Sequence, residues 1–324
     1  MDFTSILTNE QIKRKNIEKS ARKAALVALL GGSLMFLFQL IYSFAVLSPI
    51  MEFFPELLTD TASYFLDMFG YVFYIAIPFA ITALIFKKIN KNFENKGVKR
   101  STPKAPALYI FGTIGVGYII NLTISILFSD LIEQYSVDMG IVADNVLQVI
   151  LCYVLYAILP AILEEWAFRG VLCKNLLPYG MGGAIIISSV LFGVAHVDPP
   201  RIIFATAFGL MLAVCYEHTR SLKIPMLIHF INNAISVTMS LIPTDSAFTV
   251  LLSSAVFGLI GCGIAAIVYY ANNGIARKKV SIIKPQTVGY QLSIGKFATK
   301  AVLNFGMIPL VILYAIFFAL YYFV

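Results

Sequence analysis

Charge is what this sequence has least of. Asp, Glu, Lys and Arg make up 13% of its 324 residues, while 59% are hydrophobic. An ordinary soluble domain carries roughly 25% charged residues, so a water-facing surface of this size cannot be coated and a soluble globule is excluded. Glycine (21) and proline (13) are modest in number, and with so much apolar content the chain is not disordered. The four cysteines, Cys152, Cys173, Cys215 and Cys262, stand far apart in or beside apolar runs and make no disulfide framework. There is no Gly-x-Ser-x-Gly elbow, no Ser-Lys pair and no His-Glu-x-x-His helix, so the usual serine hydrolase and zinc protease signatures are missing.

What is present is a series of long apolar runs. About 20 apolar residues in a helix span the ~30 Å hydrocarbon core of a bilayer. Clear runs are Ala24–Leu47, Phe65–Phe86, Ala107–Phe128, Val146–Leu163, Phe248–Tyr270 and Val302–Val324. A punctuated stretch divides further into Met181–Ala195, Ile202–Tyr216 and Ile224–Leu241. The runs are continuous rather than alternating, which predicts helices and not a barrel. The expected fold is an all-α polytopic transmembrane bundle of eight to nine spans. The first apolar run is too long for a signal peptide and lacks a cleavage pattern, so it is read as a retained span.

The net charge of +7 raises the question of nucleic acid, but the cations sit between the spans. With nine alternating spans, every Lys and Arg except Arg201 falls on one side, and the facing loops carry Glu52, Glu56, Asp60, Asp130, Glu133, Asp138 and Asp144. By the positive-inside rule the N-terminus is cytoplasmic. The basic charge is a topology signal; the expected partners are membrane lipid and a peptide or membrane-protein substrate, with no nucleic acid. The expected organisation is a basic cytoplasmic segment 1–23, accessory spans over 24–145, a functional core over 146–241, and two C-terminal spans over 242–324 joined by a basic cytoplasmic linker or surface helix, 271–301.

Polar residues inside the spans are costly and therefore functional candidates. Glu164-Glu165-Trp166-Ala167-Phe168-Arg169 closes the fourth run. Glu165 and Arg169 are i and i+4, the favourable orientation for an ion pair, and Glu164 is turned about 100° away. Pro160, one turn earlier, removes a backbone donor and predicts a kink. His196 ends the fifth run, and His229 shares a helix face with Asn233 in the seventh. Each group alone is explained as a helix end or as polar glue between helices. His218, beside Glu217 and Arg220, is read as solvated. If the fourth helix continues to about Lys174 and turns at Pro178–Gly180, Glu164 lies roughly 15 Å inside the cytoplasmic end, with His229 and Asn233 about 8–14 Å deep and His196 somewhat deeper than Glu164. A carboxylate, two imidazoles and an amide then share one layer.

Such a layer suits hydrolysis. A carboxylate removed from bulk water is a better proton acceptor than one in solution and could take a proton from water. An imidazole could orient that water, while an imidazole N–H and an amide N–H one turn apart could receive an oxyanion. Glu164, His196 and His229 could alternatively hold Zn²⁺ with an open position, and the residues alone leave that choice open.

At these residues the sequence resembles a known family. Glu164-Glu165-x-x-x-Arg169, Phe192-x-x-x-His196 and His229-x-x-x-Asn233, in that order on successive spans, look like the three motifs of the CAAX-prenyl protease and bacteriocin-processing (CPBP) family of intramembrane endopeptidases, also called the Abi family. The likeness covers roughly residues 146–241, and no motif position departs from the pattern. It implies an intramembrane endopeptidase in which Glu164 activates water with help from His196, His229 and Asn233 stabilise the oxyanion, and Glu165 and Arg169 support the site. It also implies glutamate-type chemistry with no obligatory metal. A ninth span exceeds the eight helices of eukaryotic and archaeal members, so the substrate class is not inherited. The expected location is a bacterial cell membrane, where a prenylated C-terminus is not the expected target. Two other readings are a catalytically silent scaffold or bacteriocin-immunity protein, whose phenotype would survive Glu164→Gln, and a proton-coupled transporter, which would call for internal repeats that are not visible.

Overall fold

Within lipid, every backbone polar group must be satisfied internally, which a helix does along its own length. The computed structural model shows helices and no strands among its described residues: 9–90, 103, 105–135, 141, 143–243, 246–273 and 292–323. Seven helices there are long and apolar enough to cross a membrane, or eight if one bent pair counts as a span. The chain is a polytopic, all-α integral membrane protein.

Helix α1 covers Asn9–Tyr42 and continues through a π-helical turn, Ser43–Leu47, into Ser48–Phe53. From Asn9 onward the basic N-terminal segment therefore forms the first turns of a membrane helix; residues 1–8 lie outside the described residues. Helix α2 is Asp60–Ile89, capped by Thr59, whose hydroxyl accepts from the Ala62 N–H at 3.2 Å. Helix α3 is Pro106–Leu127. Helix α4 runs from Val146 to Tyr179, as the sequence predicts if the fourth helix continues past its acids. Asn145 caps it, accepting from the Gln148 N–H at 3.0 Å. Then follow α5 (Met181–Val194), α6 (Pro199–Thr219), α7 (Lys223–Leu241) and α8 (Ala247–Asn273). Helices α9 (Ile294–Val302) and α10 (Met307–Phe323) form the bent pair, meeting at 67°.

The nine apolar runs thus become seven long helices, one bent pair and one short element. Helix α5 has 14 residues. At 1.5 Å per residue it is about 21 Å long, less than a bilayer core. It pairs with α6 as a hairpin. Of the 271–301 linker, residues 274–291 lie outside the described residues, while α9 lays Phe297 and Ala301 inward. At the break after α9 the Asn304 amide donates to the Arg22 carbonyl at 2.8 Å, tying the pair to α1.

Close packing in lipid favours small residues where helices cross, because lipid tails are as apolar as leucine and only tight contact distinguishes protein from solvent. Helices α3 and α8 show this at Gly115 and Gly263. A Cβ on Gly115 would lie 1.8 Å from the Leu259 carbonyl oxygen, and one on Gly263 would lie 2.6 Å from Gly115 C. Elsewhere α8 turns large apolar side chains outward, including Val250, Leu251 and Phe257.

The interior that carries the polar residues is organised by aromatic contacts. Phe79 of α2 meets Phe168 of α4 at 5.1 Å between ring centroids, and Phe168 meets Phe192 of α5 edge-on at 5.3 Å. Phe192 in turn meets His229 of α7 at 5.8 Å. All three phenylalanines are buried. Four helices are thereby registered around one point, and the acids of α4 lie within a turn of it.

Candidate active site

Helix α4 is irregular where the motif falls. A π-helical turn occupies Val154–Ile158 immediately before Pro160, and a second π-helical stretch covers Glu165–Cys173. Pro160 has no N–H to offer the Tyr156 carbonyl four residues back. That carbonyl accepts from the Asn233 side-chain amide of α7 at 3.2 Å instead. The predicted disturbance at Pro160 therefore has a definite use, because it gives α7 a backbone handle on α4. An amide nitrogen carries two N–H groups, so Asn233 keeps one beyond this bond. Its Oδ1 accepts from Asn232 at 3.2 Å.

The two adjacent glutamates face different neighbours. Glu165 is fully buried and pairs with the fully buried Arg169 at 2.9 Å. The same Oε1 meets His229 Nδ1 at 3.0 Å. The second guanidinium nitrogen of Arg169 donates to the Gly209 carbonyl of α6 at 3.0 Å, and its Cζ lies 4.3 Å above the Phe192 ring. A Cβ on Gly209 would lie 2.9 Å from the Phe192 ring and 3.2 Å from that guanidinium nitrogen, so the approach requires glycine. Charge, hydrogen bonding and cation–π contact together accommodate an ion pair that burial alone would penalise.

Glu164 points toward α2 and α7. Its Oε1 accepts a hydrogen bond from the Tyr71 hydroxyl. Its Oε2 is buried, has no hydrogen-bond partner among the described residues, and lies 3.8 Å from His229 Nε2. That gap is too long for a direct bond. Because a carboxylate only accepts, the contact with Glu165 places a proton on His229 Nδ1. For Nε2 to donate as well, the ring must carry both protons.

His196 lies in the turn between α5 and α6. Its Nδ1 is 2.9 Å from the Phe192 carbonyl, which can only accept, so Nε2 is left as an acceptor when the ring is neutral. Its ring packs edge-on against Phe192 at 5.0 Å, on the residue that also touches His229. The next residue, Val197, has φ 60°, a region in which a β-branched side chain costs of order 1–3 kcal/mol. Neighbouring bonds hold it there: the Asp198 N–H donates to the His196 carbonyl at 2.6 Å, and Tyr314 of α10 donates to the Val197 carbonyl at 3.1 Å.

The structure thus brings Glu164, Glu165, Arg169 and His229 into direct proximity. It joins His196 to them through Phe192, and Asn233 through the α4 backbone. His218 is exposed and rests against the Tyr109 ring, while Glu217 is buried with Arg220. Tyr71 escaped the sequence reading; it is one of several tyrosines in an apolar run, and nothing in its spacing marks it. Among the described residues no three His, Cys, Asp or Glu side chains are grouped to hold a metal ion, so Glu164, His196 and His229 do not form such a set.

Comparison with known proteins bears out the resemblance. Residues 146–235 match the family described as type II CAAX prenyl endopeptidase Rce1-like. YdiL of Bacillus subtilis, a putative membrane peptidase, is 32% identical over 120 residues, which is 35% of this chain and 49% of that protein. MroQ of Staphylococcus aureus, a membrane-embedded CAAX protease, is 25% identical over 191 residues, 54% of this chain and 76% of that protein. The match therefore spans about half the length of the first relative. No solved structure matches the chain.

Proposed function

We propose that this protein is an intramembrane endopeptidase that hydrolyses a peptide bond of a peptide or membrane-protein substrate with water activated by Glu164. The observation that carries the reading is the buried, unpartnered Oε2 of Glu164 facing His229 Nε2 at 3.8 Å. The similarity of residues 146–235 to CAAX endopeptidases supports it.

In this reading Glu164 Oε2 takes a proton from the water as its oxygen attacks the substrate carbonyl carbon. The negative charge that develops on the carbonyl oxygen is met by N–H donors from a doubly protonated His229 and from the remaining amide proton of Asn233. Glu164 then passes its proton to the amide nitrogen, and the C–N bond breaks. His196 Nε2 accepts a hydrogen bond and orients the water. Glu165 and Arg169 fix the His229 ring and do not exchange protons with substrate. No metal is required by these steps. The sequence predicts a cytoplasmic N-terminus in a bacterial cell membrane, which would open the site toward the inner leaflet.

The test is comparative peptidomics of membranes from cells carrying the wild type or Glu164→Gln. Products present with the wild type and absent with the variant, at equal protein levels, support the reading and identify the substrate. Identical peptide profiles would return the protein to the scaffold or immunity role.

A further inference from the structure

A carboxylate base has two oxygens with four lone-pair directions between them, and general base catalysis needs one of them presented to water in a fixed direction. In Glu164 the two oxygens are treated differently. Oε1 is taken by the Tyr71 hydroxyl, and Oε2 is buried without a partner among the described residues beside His229. Tyr71 belongs to α2, outside the segment 146–235 that resembles the endopeptidase family. Helix α2 is registered on α4 around this contact. Phe79, two turns beyond Tyr71, packs on Phe168, one turn beyond Glu164. The Tyr71 ring is braced edge-on by Tyr74 at 5.5 Å. The hydroxyl is thus delivered to Glu164 by a packed helix and not by a mobile loop.

We infer that Tyr71 is a positioning residue for the hydrolytic reaction: its hydroxyl holds Glu164 Oε1, fixes the carboxylate plane, and leaves Oε2 as the oxygen that meets water. This inference rests on the hydrolytic reading above. Tyr71 keeps its proton throughout; the proton taken from water travels on Oε2 and leaves with the amide nitrogen. It follows that the accessory spans complete the site, and that the motif-bearing core is insufficient without α2. An alternative role for the same bond is glue between two helices, which would affect stability alone.

The experiment compares full-length wild type, Tyr71→Phe and Glu164→Gln in lipid nanodiscs. Infrared spectroscopy first identifies the carboxyl band that disappears in Glu164→Gln. A quenched-fluorescent peptide library then supplies kcat and KM. Tyr71→Phe is expected to shift the Glu164 band, to lower kcat about tenfold or more, as loss of a hydrogen bond to a charged group implies, and to leave KM within about twofold. Wild-type kcat in a folded Tyr71→Phe protein, or an unmoved band, overturns the inference while the loss of cleavage in Glu164→Gln leaves the hydrolase standing. Cleavage by Glu164→Gln overturns the hydrolytic reading instead. Should Phe at this position not be recovered folded, fluorotyrosine installed at residue 71 alone keeps the ring and hydroxyl but changes its donor strength. A wild-type Glu164 band in that protein overturns the inference equally.

Discussion

Removing Arg169 tests whether the buried ion pair is held together by mutual need. The pair is fully buried on both sides. Arg169→Ala leaves the Glu165 carboxylate with His229 alone, deletes the donor to Gly209, and empties the space above Phe192. Breaking a buried pair from one side costs about 3–5 kcal/mol, most of it from the charge left behind. Because His229 still donates to Glu165, the lower end applies, ~3 kcal/mol. For 324 residues, at about 2.1 cal/mol/K of unfolding entropy per residue, that corresponds to a fall in Tm of roughly 4–5 °C. Replacing both members, Glu165→Leu with Arg169→Met, removes the stranded charge and should recover most of the loss, to within about 1–2 kcal/mol of wild type. The measurement is thermal unfolding of the three purified proteins in one detergent. A double variant no more stable than Arg169→Ala would refute the argument, since the loss would then reside in packing and not in the orphaned carboxylate. The double variant should lose cleavage, because it removes the carboxylate that fixes the His229 ring.

Other outcomes follow from the same geometry. Gly209→Ala forces its Cβ into Phe192 and Arg169, and is expected to destabilise the protein by about 1–3 kcal/mol, read as a lower Tm. Gly115→Leu should separate α3 from α8, which a cysteine pair across that crossing would report as lost cross-linking. Asn233→Leu strands the Tyr156 carbonyl; it should lower both Tm and kcat, whereas Glu164→Gln should lower kcat alone. A strong chelator added to the cleavage assay should leave the rate unchanged, and a loss restored by added zinc would redirect the mechanism to a metal.

The fold was legible because lipid leaves a chain few choices: uninterrupted apolar runs must be helices, and the spacing of Glu165 and Arg169 already specifies one face. The apolar run of α4 ends at Leu163 in the sequence, and its continuation to a turn at Pro178–Gly180 was a supposition that the helix Val146–Tyr179 agrees with. What could not be read was the interaction between helices. Tyr71 matters because α2 happens to pack with Phe79 on Phe168, and no spacing within α2 encodes that. That the Tyr156 carbonyl, which Pro160 cannot bond, accepts from Asn233 is likewise not encoded by any spacing within α4 or α7. The shortness of α5 was legible too, because Met181–Ala195 falls short of the roughly 20 residues a span needs before Asp198 and Pro199 start the next helix.

The irregularities in α4 also bear on why two consecutive glutamates serve different ends. On one helix, neighbouring side chains diverge by about 100° and cannot share a partner on the same face. A single ring between α4 and α7 resolves this: His229 presents Nδ1 to Glu165 and Nε2 toward Glu164. Glu165 is held at Oε1 by both Arg169 and His229, although its Oε2, like that of Glu164, is buried without a hydrogen-bond partner among the described residues. Glu164 is held at Oε1 by Tyr71 alone, and its Oε2 faces His229 Nε2. In the proposed reading, the difference between base and scaffold lies in the neighbours, not in the residue type. In Tyr71→Phe the Glu164 carboxylate loses its orientation while Glu165 remains locked, so the defect should appear in turnover without a matching defect in stability.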